Sequence, residues 1–426
     1  MRKIIFILIT ILSLQVSAQQ QVSGNLLTYF DNIINNIPRG QGSDEYQKPS
    51  TDQLNIFRNV ISGIINENYS GANSSAEGIG YKITQFLDDT GITYYILESN
   101  SSNFWGTFIF NPASVRSKLV IQSPHAIYDS YTGTQGILVY RVTGSFAFFM
   151  NGTHRCNSSL YSVCDGTTTA CSNGGPATRY RVSDQAHNTD NTFQAATEIL
   201  ENEIDSLIYI QLHGFSKGSG DPYLIMSGGT SIPPQGPDYI ALLRDALLNV
   251  DGGLTFKIAH LDTDWTRLIA TSNTQGRLIN GSSNPCSIGA NQNSGRFIHI
   301  EQEKSRLRDS DTDRMKMATA INAVFPPNNV TAIEEYCEVK PGNTLEFYPN
   351  PFNSMTNIIF SINEASEVQL YLYDVLGRRI KTLFNGYAAS GSNKVNLHSN
   401  NLGSGIYFIV LISKEGTVTR KVTHLK

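Results

Sequence analysis

The stretch Lys118–Gly136, KLVIQSPHAIYDSYTGTQG, limits what this chain can fold into more than any other. An apolar run, Leu119–Ile121, is stopped by Pro124, and His125, Asp129 and Thr134 follow in what reads as a polar loop. A short, nearly continuous apolar run is the mark of a strand buried on both faces, as in parallel sheets. Ligands in open α/β sheets bind outside the carboxyl ends of such strands. The loop after this strand is therefore where chemistry is expected.

Other segments repeat the pattern. Leu207–Leu212, LIYIQL, is a second apolar strand that stops at His213-Gly214, and Phe297–Ile300 is a third, followed at once by Glu301. Thr93–Leu97, Thr107–Phe110, Phe146–Met150 and Leu254–Ala259 read as further strands. Asp52–Asn68, Asn191–Glu203, Tyr239–Val250 and Asp309–Phe325 read as helices, from apolar residues at helical spacing or from acidic and capping residues at their starts. Strands alternating with helices give an α/β domain over residues 51–326, a mostly parallel sheet with helices on both faces. Residues 19–50, rich in Gln, Asn, Gly and Ser, carry no clear element.

At 426 residues the chain exceeds one ordinary domain. Phe325-Pro326-Pro327-Asn328-Asn329 opens a linker, 327–344, and beyond it the helical period is gone. Seven short runs between Leu345 and Val422, separated by Asn, Gly and Ser, predict a small all-β sandwich over residues 345–426.

The first 18 residues combine a basic start, the apolar run Ile4–Leu14 and a small-residue site at Val16-Ser17-Ala18, the three parts of a secretory signal peptide. No later run reaches the roughly 18 apolar residues a membrane span needs. The net charge of −4 gives no electrostatic reason to expect nucleic acid or an anionic membrane as partner. Export makes the five cysteines candidates for disulfides. Cys156, Cys164 and Cys171 share one Ser/Thr/Gly-rich loop, where a local bridge is expected, while Cys286 and Cys337 lie far away and the odd total leaves at least one without an intrachain partner. CxxC spacing is absent, which argues against a zinc cluster.

Two strands thus end in histidine, His125 and His213, and Asp129 can place an oxygen beside the first. Two His and one carboxylate, with a position left open, is a common catalytic zinc site. Glu301, at the end of an otherwise apolar strand, needs a polar or cationic neighbour and suits a general base that passes a proton to a leaving amine. Glu303, two residues on, competes for that role. Glu301 has an alternative as an ion-pair partner of Arg155, Arg296 or Arg306. His260-Leu261-Asp262-Thr263-Asp264-Trp265 offers a second, lesser metal site or ordinary loop polarity. Ser123 and Ser216 lack the context of a nucleophile elbow.

Two resemblances follow from these residues. Tyr348-Pro349-Asn350-Pro351-Phe352, Tyr373-Asp374-Val375-Leu376-Gly377-Arg378, Gly405-Ile406-Tyr407 and a Lys-rich end resemble the C-terminal sorting domain of type IX secretion substrates in Bacteroidetes. That implies the type IX machinery as a partner, and a secreted or cell-surface protein reached through the periplasm and outer membrane. PHAIYDSYTGTQG, LHGF and RFIHIEQ resemble, in this order, the metal-binding and catalytic segments of poly-γ-glutamate hydrolases and N-formylglutamate amidohydrolases, relatives of the zinc carboxypeptidases.

The second resemblance implies a carboxypeptidase-like fold and a zinc ion on His125, Asp129 and His213, with Glu301 as base. The carboxypeptidases use HxxE where this chain has HxxxD. It also implies an arginine for the substrate carboxylate or scissile carbonyl, for which Arg155 in GTHRCNSS is the candidate. His154, Asp184 and His187 are further polar candidates, one of which could replace Asp129, and the same loop reads alternatively as a disulfide-stapled lid. The expected activity is zinc-dependent hydrolysis of an amide or peptide bond in a small peptide or acylated amino acid. The alternative is a catalytically inactive surface binding protein on the same scaffold.

Overall fold

The computed structural model describes residues 20–328, 343–375, 378–399, 402–414 and 416–425. The expected signal peptide, most of the expected linker, Cys337 and Leu376-Gly377 of the sorting motif lie outside them. The chain divides into two compact units after Val330.

The first unit begins with β1 (Gln20–Gly24), α1 (Leu26–Asn35), α2 (Thr51–Ile65), α3 (Tyr69–Glu77), β2 (Tyr81–Asp88), β3 (Thr93–Ser99) and β4 (Thr107–Phe110). It continues with β5 (Arg116–Ser123), α4 (Thr132–Thr143), β6 (Ser145–Met150) and the two-residue strands β7 (Thr167–Thr168) and β8 (Thr178–Arg179). Then come α5 (Thr192–Glu203), β9 (Ile208–Gly214), β10 (Leu224–Ser227), α6 (Tyr239–Val250), β11 (Phe256–Ile258) and α7 (Thr274–Ile279). β12 (Phe297–Gln302), α8 (Lys304–Leu307) and α9 (Asp311–Val324) complete it. Side-chain caps set the helix starts other than that of α4: Ser50 and Gln53 form a capping box on α2, and Asn191 caps α5.

One sheet of ten strands runs through the unit in the order β1-β2-β3-β4-β6-β5-β9-β12-β10-β11. Its central strands β6, β5, β9 and β12 are parallel, while β2, β3, β4 and β10 add antiparallel pairings. The mostly parallel core sheet flanked by helices, followed by a small all-β domain, is the expected fold. Residues 20–35, where the sequence suggested no element, supply an edge strand and a helix that packs into the core.

Alternation along the strands sorts the core into two faces. Leu119, Ile121, Phe148, Ile210, Leu212, Ile298 and Ile300 meet α1, α4, α6 and α9 on the first face. Val120, Ala147, Phe149, Tyr209 and Phe297 meet α2, α3, α5 and α7 on the second. From β5 the chain crosses by α4 on the first face to β6, then by α5 on the second face to β9, on β5's other side. The carboxyl ends of β5 and β9 are therefore a topological switch point, the crevice where such sheets bind ligands.

One expectation is corrected here. Thr134 lies in the first turn of α4, not in a loop. Thr132–Thr143 is buried on nearly every side, so it has no polar face and shows no helical period in the sequence. Gly136 lets it pack close: a Cβ there would come within 2.5 Å of Phe148 and of the Ser123 hydroxyl.

The second unit holds β13 (Thr344–Tyr348), β14 (Met355–Ile362), β15 (Ser366–Asp374), β16 (Arg379–Ala388), β17 (Gly391–His398), β18 (Gly405–Ser413) and β19 (Gly416–His424). They form a three-stranded and a four-stranded antiparallel sheet around one core that includes Phe360, Leu370, Leu397 and Leu411. This is the β-sandwich that the short runs imply.

Candidate functional site

Strand alternation delivers the polar residues to one place. On β12, His299 and Glu301 continue the second face begun by Phe297, and on β9 Gln211 and His213 continue that of Tyr209. The parallel register sets Glu301 beside His213, His299 beside Gln211, and Gln211 beside Gln122 of β5. After β5 the chain makes a single turn, closed by Asp129 N–H to His125 O at 3.0 Å, before α4. That turn explains the HxxxD spacing, because positions i and i+4 of a helical turn lie on the same side.

His125, Asp129 and His213 meet in a triangle. His125 Nδ1 and His213 Nδ1 are 3.1 Å apart, and Asp129 Oδ2 lies 3.2 Å from the first and 3.1 Å from the second. Three ligand atoms of a tetrahedral ion bound at 2.0–2.1 Å stand about 3.3 Å apart, close to these edges. Each outer nitrogen faces an acceptor: His125 Nε2 meets Asp184 Oδ1 at 2.9 Å and His213 Nε2 meets Gln211 Oε1 at 2.8 Å. Metal-bound histidines carry such a partner on the other nitrogen, which fixes the ring and turns its lone pair inward.

The charges match this reading. Burial opposes the charge on Asp129, yet His125 and His213 hold its carboxyl well below the usual carboxylate range. Burial and the Arg155 guanidinium oppose a charge on His125, but Asp184 and Asp129 outweigh them and raise it. Burial brings His213 down to about 4. The two carboxylates thus favour positive charge at the centre, where a cation would sit.

Asp184 is fully buried and supports the site from outside, accepting from Arg155 Nε at 2.9 Å, from Arg155 Nη2, from His125 Nε2 and from His187 Nδ1 at 2.9 Å. Three overlapping groups among the described residues could hold a metal ion: His125 with Asp129 and His213, His125 with Asp184 and His187, and His213 with His299 and Glu301. The second already has its cation in Arg155. The first combines three ligand atoms with two held outer nitrogens. In the third, Glu301 Oε2 and His299 Nδ1 are buried without a hydrogen-bond partner, and burial followed by the Asp129 charge pushes the Glu301 carboxyl up to about 8.

Glu303 leaves the competition, because it lies past the strand and caps α8 through Ser305 N and Arg306 N. Of the other ion-pair partners considered for Glu301, Arg296 pairs with Glu201 and Arg306 with Asp251. Arg155 has two nitrogens on Asp184, and its Nη1 lies 3.3 Å from His125 Nδ1. His154 stands apart: its Nδ1 accepts from Cys156 N–H, its ring meets Tyr128, and burial brings it down to about 4. In the His260 segment, His260 bonds Asp238, the cap of α6, and Asp262 bonds Lys257 and Ile258 N, so these groups serve local structure.

The centre opens into a cavity of about 390 Å³ whose walls include His187, His299, Glu301, Thr167–Thr169 and Tyr180. The Cys-rich insertion therefore both staples and lines it. Cys156–Cys171 is the expected local bridge, and Cys164–Cys286 ties the insertion to the segment after α7. The sequence did not single out His299, although its two-residue spacing from Glu301 in FIHIEQ put both on one strand face.

Comparison with known proteins places the second unit. Residues 346–424 match the family described as secretion system C-terminal sorting domain. No curated protein matches the chain. Among solved structures, dimeric latent PorU from Porphyromonas gingivalis is similar at 17% identity over 20% of this chain and 9% of that chain, with a TM-score of 0.17. An engineered protein is similar at 10% identity over 54% of this chain and 57% of that one, with a TM-score of 0.15. The endo-beta-1,4-mannanase of Thermotoga petrophila is similar at 9% identity over 68% and 61%, with a TM-score of 0.14. The chain spans 9% of the PorU chain and 57% of the engineered protein, and scores this low carry no argument about the first unit. Among the described residues no helix is long and apolar enough to cross a membrane. The chain carries a C-terminal type IX secretion sorting domain and is a secreted or surface-associated protein with candidate metal-coordinating clusters.

Proposed function

We propose that the first unit is a zinc-dependent hydrolase of amide or peptide bonds, with His125, Asp129 and His213 as the ligands. The observation that carries this reading is the convergence of two imidazole Nδ1 atoms and one carboxylate oxygen within 3.1–3.2 Å of one another at the switch point of the sheet. Nitrogen and oxygen donors of this kind, two of them with held outer nitrogens, suit zinc. A zinc ion there supplies Lewis acidity toward a carbonyl and toward water.

The chain's own residues do the rest. As water adds to the scissile carbonyl, Glu301 would take its proton on the unpartnered Oε2 and deliver it to the amine nitrogen as the C–N bond breaks, a task helped by a carboxyl pushed toward neutral pH. Arg155 places one guanidinium nitrogen beside the centre and uses the other two to hold Asp184, so it presents a single hydrogen bond to a carbonyl or carboxylate of the substrate. On this reading the substrates are small peptides or acylated amino acids, and the sorting domain delivers the enzyme to substrates outside the cell.

Elemental analysis of the purified chain tests the centre, and a panel of peptide, N-acyl and γ-glutamyl substrates tests the activity. One zinc per chain, lost in His125→Ala, and turnover lost in Glu301→Gln with zinc retained, are expected. No stoichiometric metal, or the same metal content in His125→Ala, overturns the proposal. Stoichiometric metal with no turnover in either wild type or Glu301→Gln favours the surface binding protein instead.

A further inference from the structure

We infer that Gln211 and Asn273 are positioning residues that hold the proton of His213 on Nε2 and so keep its Nδ1 lone pair turned toward the centre. The inference deepens the metal reading above and rests on it for its purpose.

The orientation is set by backbone groups at a distance from the histidine. Gly276 N–H donates to Asn273 Oδ1 at 2.8 Å, since Asn273 is the N-cap of α7. The Asn273 amide nitrogen then faces away from the helix and donates to Gln211 Oε1 at 2.5 Å. On the far side Gln275 Nε2 donates to the carbonyl of Gln185 at 2.9 Å, which leaves Gln275 Oε1 to accept from Gln211 Nε2 at 3.3 Å. Gln211 Nε2 also donates to Gln122 Oε1 at 2.9 Å, and Gln122 Nε2 donates to Thr197 Oγ1 at 3.1 Å.

Gln211 therefore has one permitted orientation. Turning its amide over would set nitrogen against the nitrogen of Asn273 and oxygen against the oxygens of Gln122 and Gln275. All four side chains are buried, so each mismatched group costs about 1–3 kcal/mol. The Gln211 oxygen, fixed as an acceptor, lies 2.8 Å from His213 Nε2. A neutral imidazole that donates from Nε2 has a bare Nδ1, and that atom is the one facing His125 and Asp129. Without the relay, the nearby Asp129 carboxylate would draw the proton to Nδ1 and block the ligand position.

Nitrogen-15 NMR of the cation-free full-length chain reads which ring nitrogen of His213 carries hydrogen, with His213→Gln assigning the signal. Hydrogen on Nε2 is expected in the wild type. In Gln211→Met and in Asn273→Asp, which keeps an oxygen to cap α7, hydrogen appears on Nδ1. Affinity for zinc and for cobalt(II), measured by chelator competition, falls by about 10–100-fold in both. Gln211→Glu keeps an acceptor and restores both the Nε2–H form and most of the affinity. Hydrogen on Nδ1 in the wild type, or a Gln211→Met protein with unchanged tautomer and affinity, overturns the inference. Should the variants fail to fold, the wild-type spectrum alone decides it. A wild-type chain that binds neither metal sinks the metal reading, while the spectrum still judges the relay.

Discussion

Replacing Glu301 by Gln keeps the size of the side chain and removes its ionisation. In the cation-free protein, burial and then the Asp129 carboxylate push the Glu301 carboxyl from 4.5 up to about 8. The folded chain keeps this proton over a range in which the unfolded chain has released it. The stability linked to this group is therefore fully present below pH 4.5, declines as pH rises, and is gone above about pH 8. At about 1.4 kcal/mol per unit, the gap bounds the effect at about 5 kcal/mol. Glu301→Gln has no such dependence, so wild type and variant should match in acid and diverge toward pH 8, with the variant the more stable. Urea denaturation of the full-length chain in chelator reads this from tryptophan fluorescence, since Trp105 and Trp265 both lie in the first unit. A difference that stays within about 0.5 kcal/mol across the range refutes the claim that Glu301 is a buried carboxyl with no compensating charge beside it.

Two other perturbations probe the frame around the site. Asp184→Asn leaves the Arg155 guanidinium buried against a neutral amide, and a loss of about 3–5 kcal/mol is expected in the same denaturation assay; an unchanged midpoint would show that Arg155 finds its counter-charge elsewhere. Gly136→Ala puts a methyl against Phe148 and the Ser123 hydroxyl, at an expected cost of about 1–3 kcal/mol. Because Ser123 ends β5 just before the His125 turn, zinc affinity should fall with it, and a variant as stable as wild type would show that α4 shifts without strain.

The sequence by itself determined the central strands and four of the helices that have a polar face, while β2, β10, α1 and α3 went unread. LVI before Pro124-His125 and LIYIQL before His213 are apolar runs long enough for a buried strand and too short for a helix, so fold class and the candidate functional edge followed from local pattern. The short runs after residue 344 did the same for the sandwich. Helix α4 was hidden because burial on all sides erases the period on which such a reading depends. Strand β1 was hidden because an edge strand among polar residues leaves no apolar run.

Tertiary structure decided the rest, because it depends on which distant segments a sheet brings together. The register between β9 and β12 set Glu301 beside His213, and the end of β12 moved Glu303 onto a helix cap. Asp184 stood in the sequence as one polar residue among several. Only packing made it the shared partner of His125, His187 and Arg155. The relay through Asn273 and Gln211 joins residues 62 positions apart and carries no sequence pattern, since a hydrogen-bond direction is fixed by neighbours in space. Local periodicity can place a histidine at the end of a strand. Which of its nitrogens faces the centre is settled by the partners the fold brings to the other one.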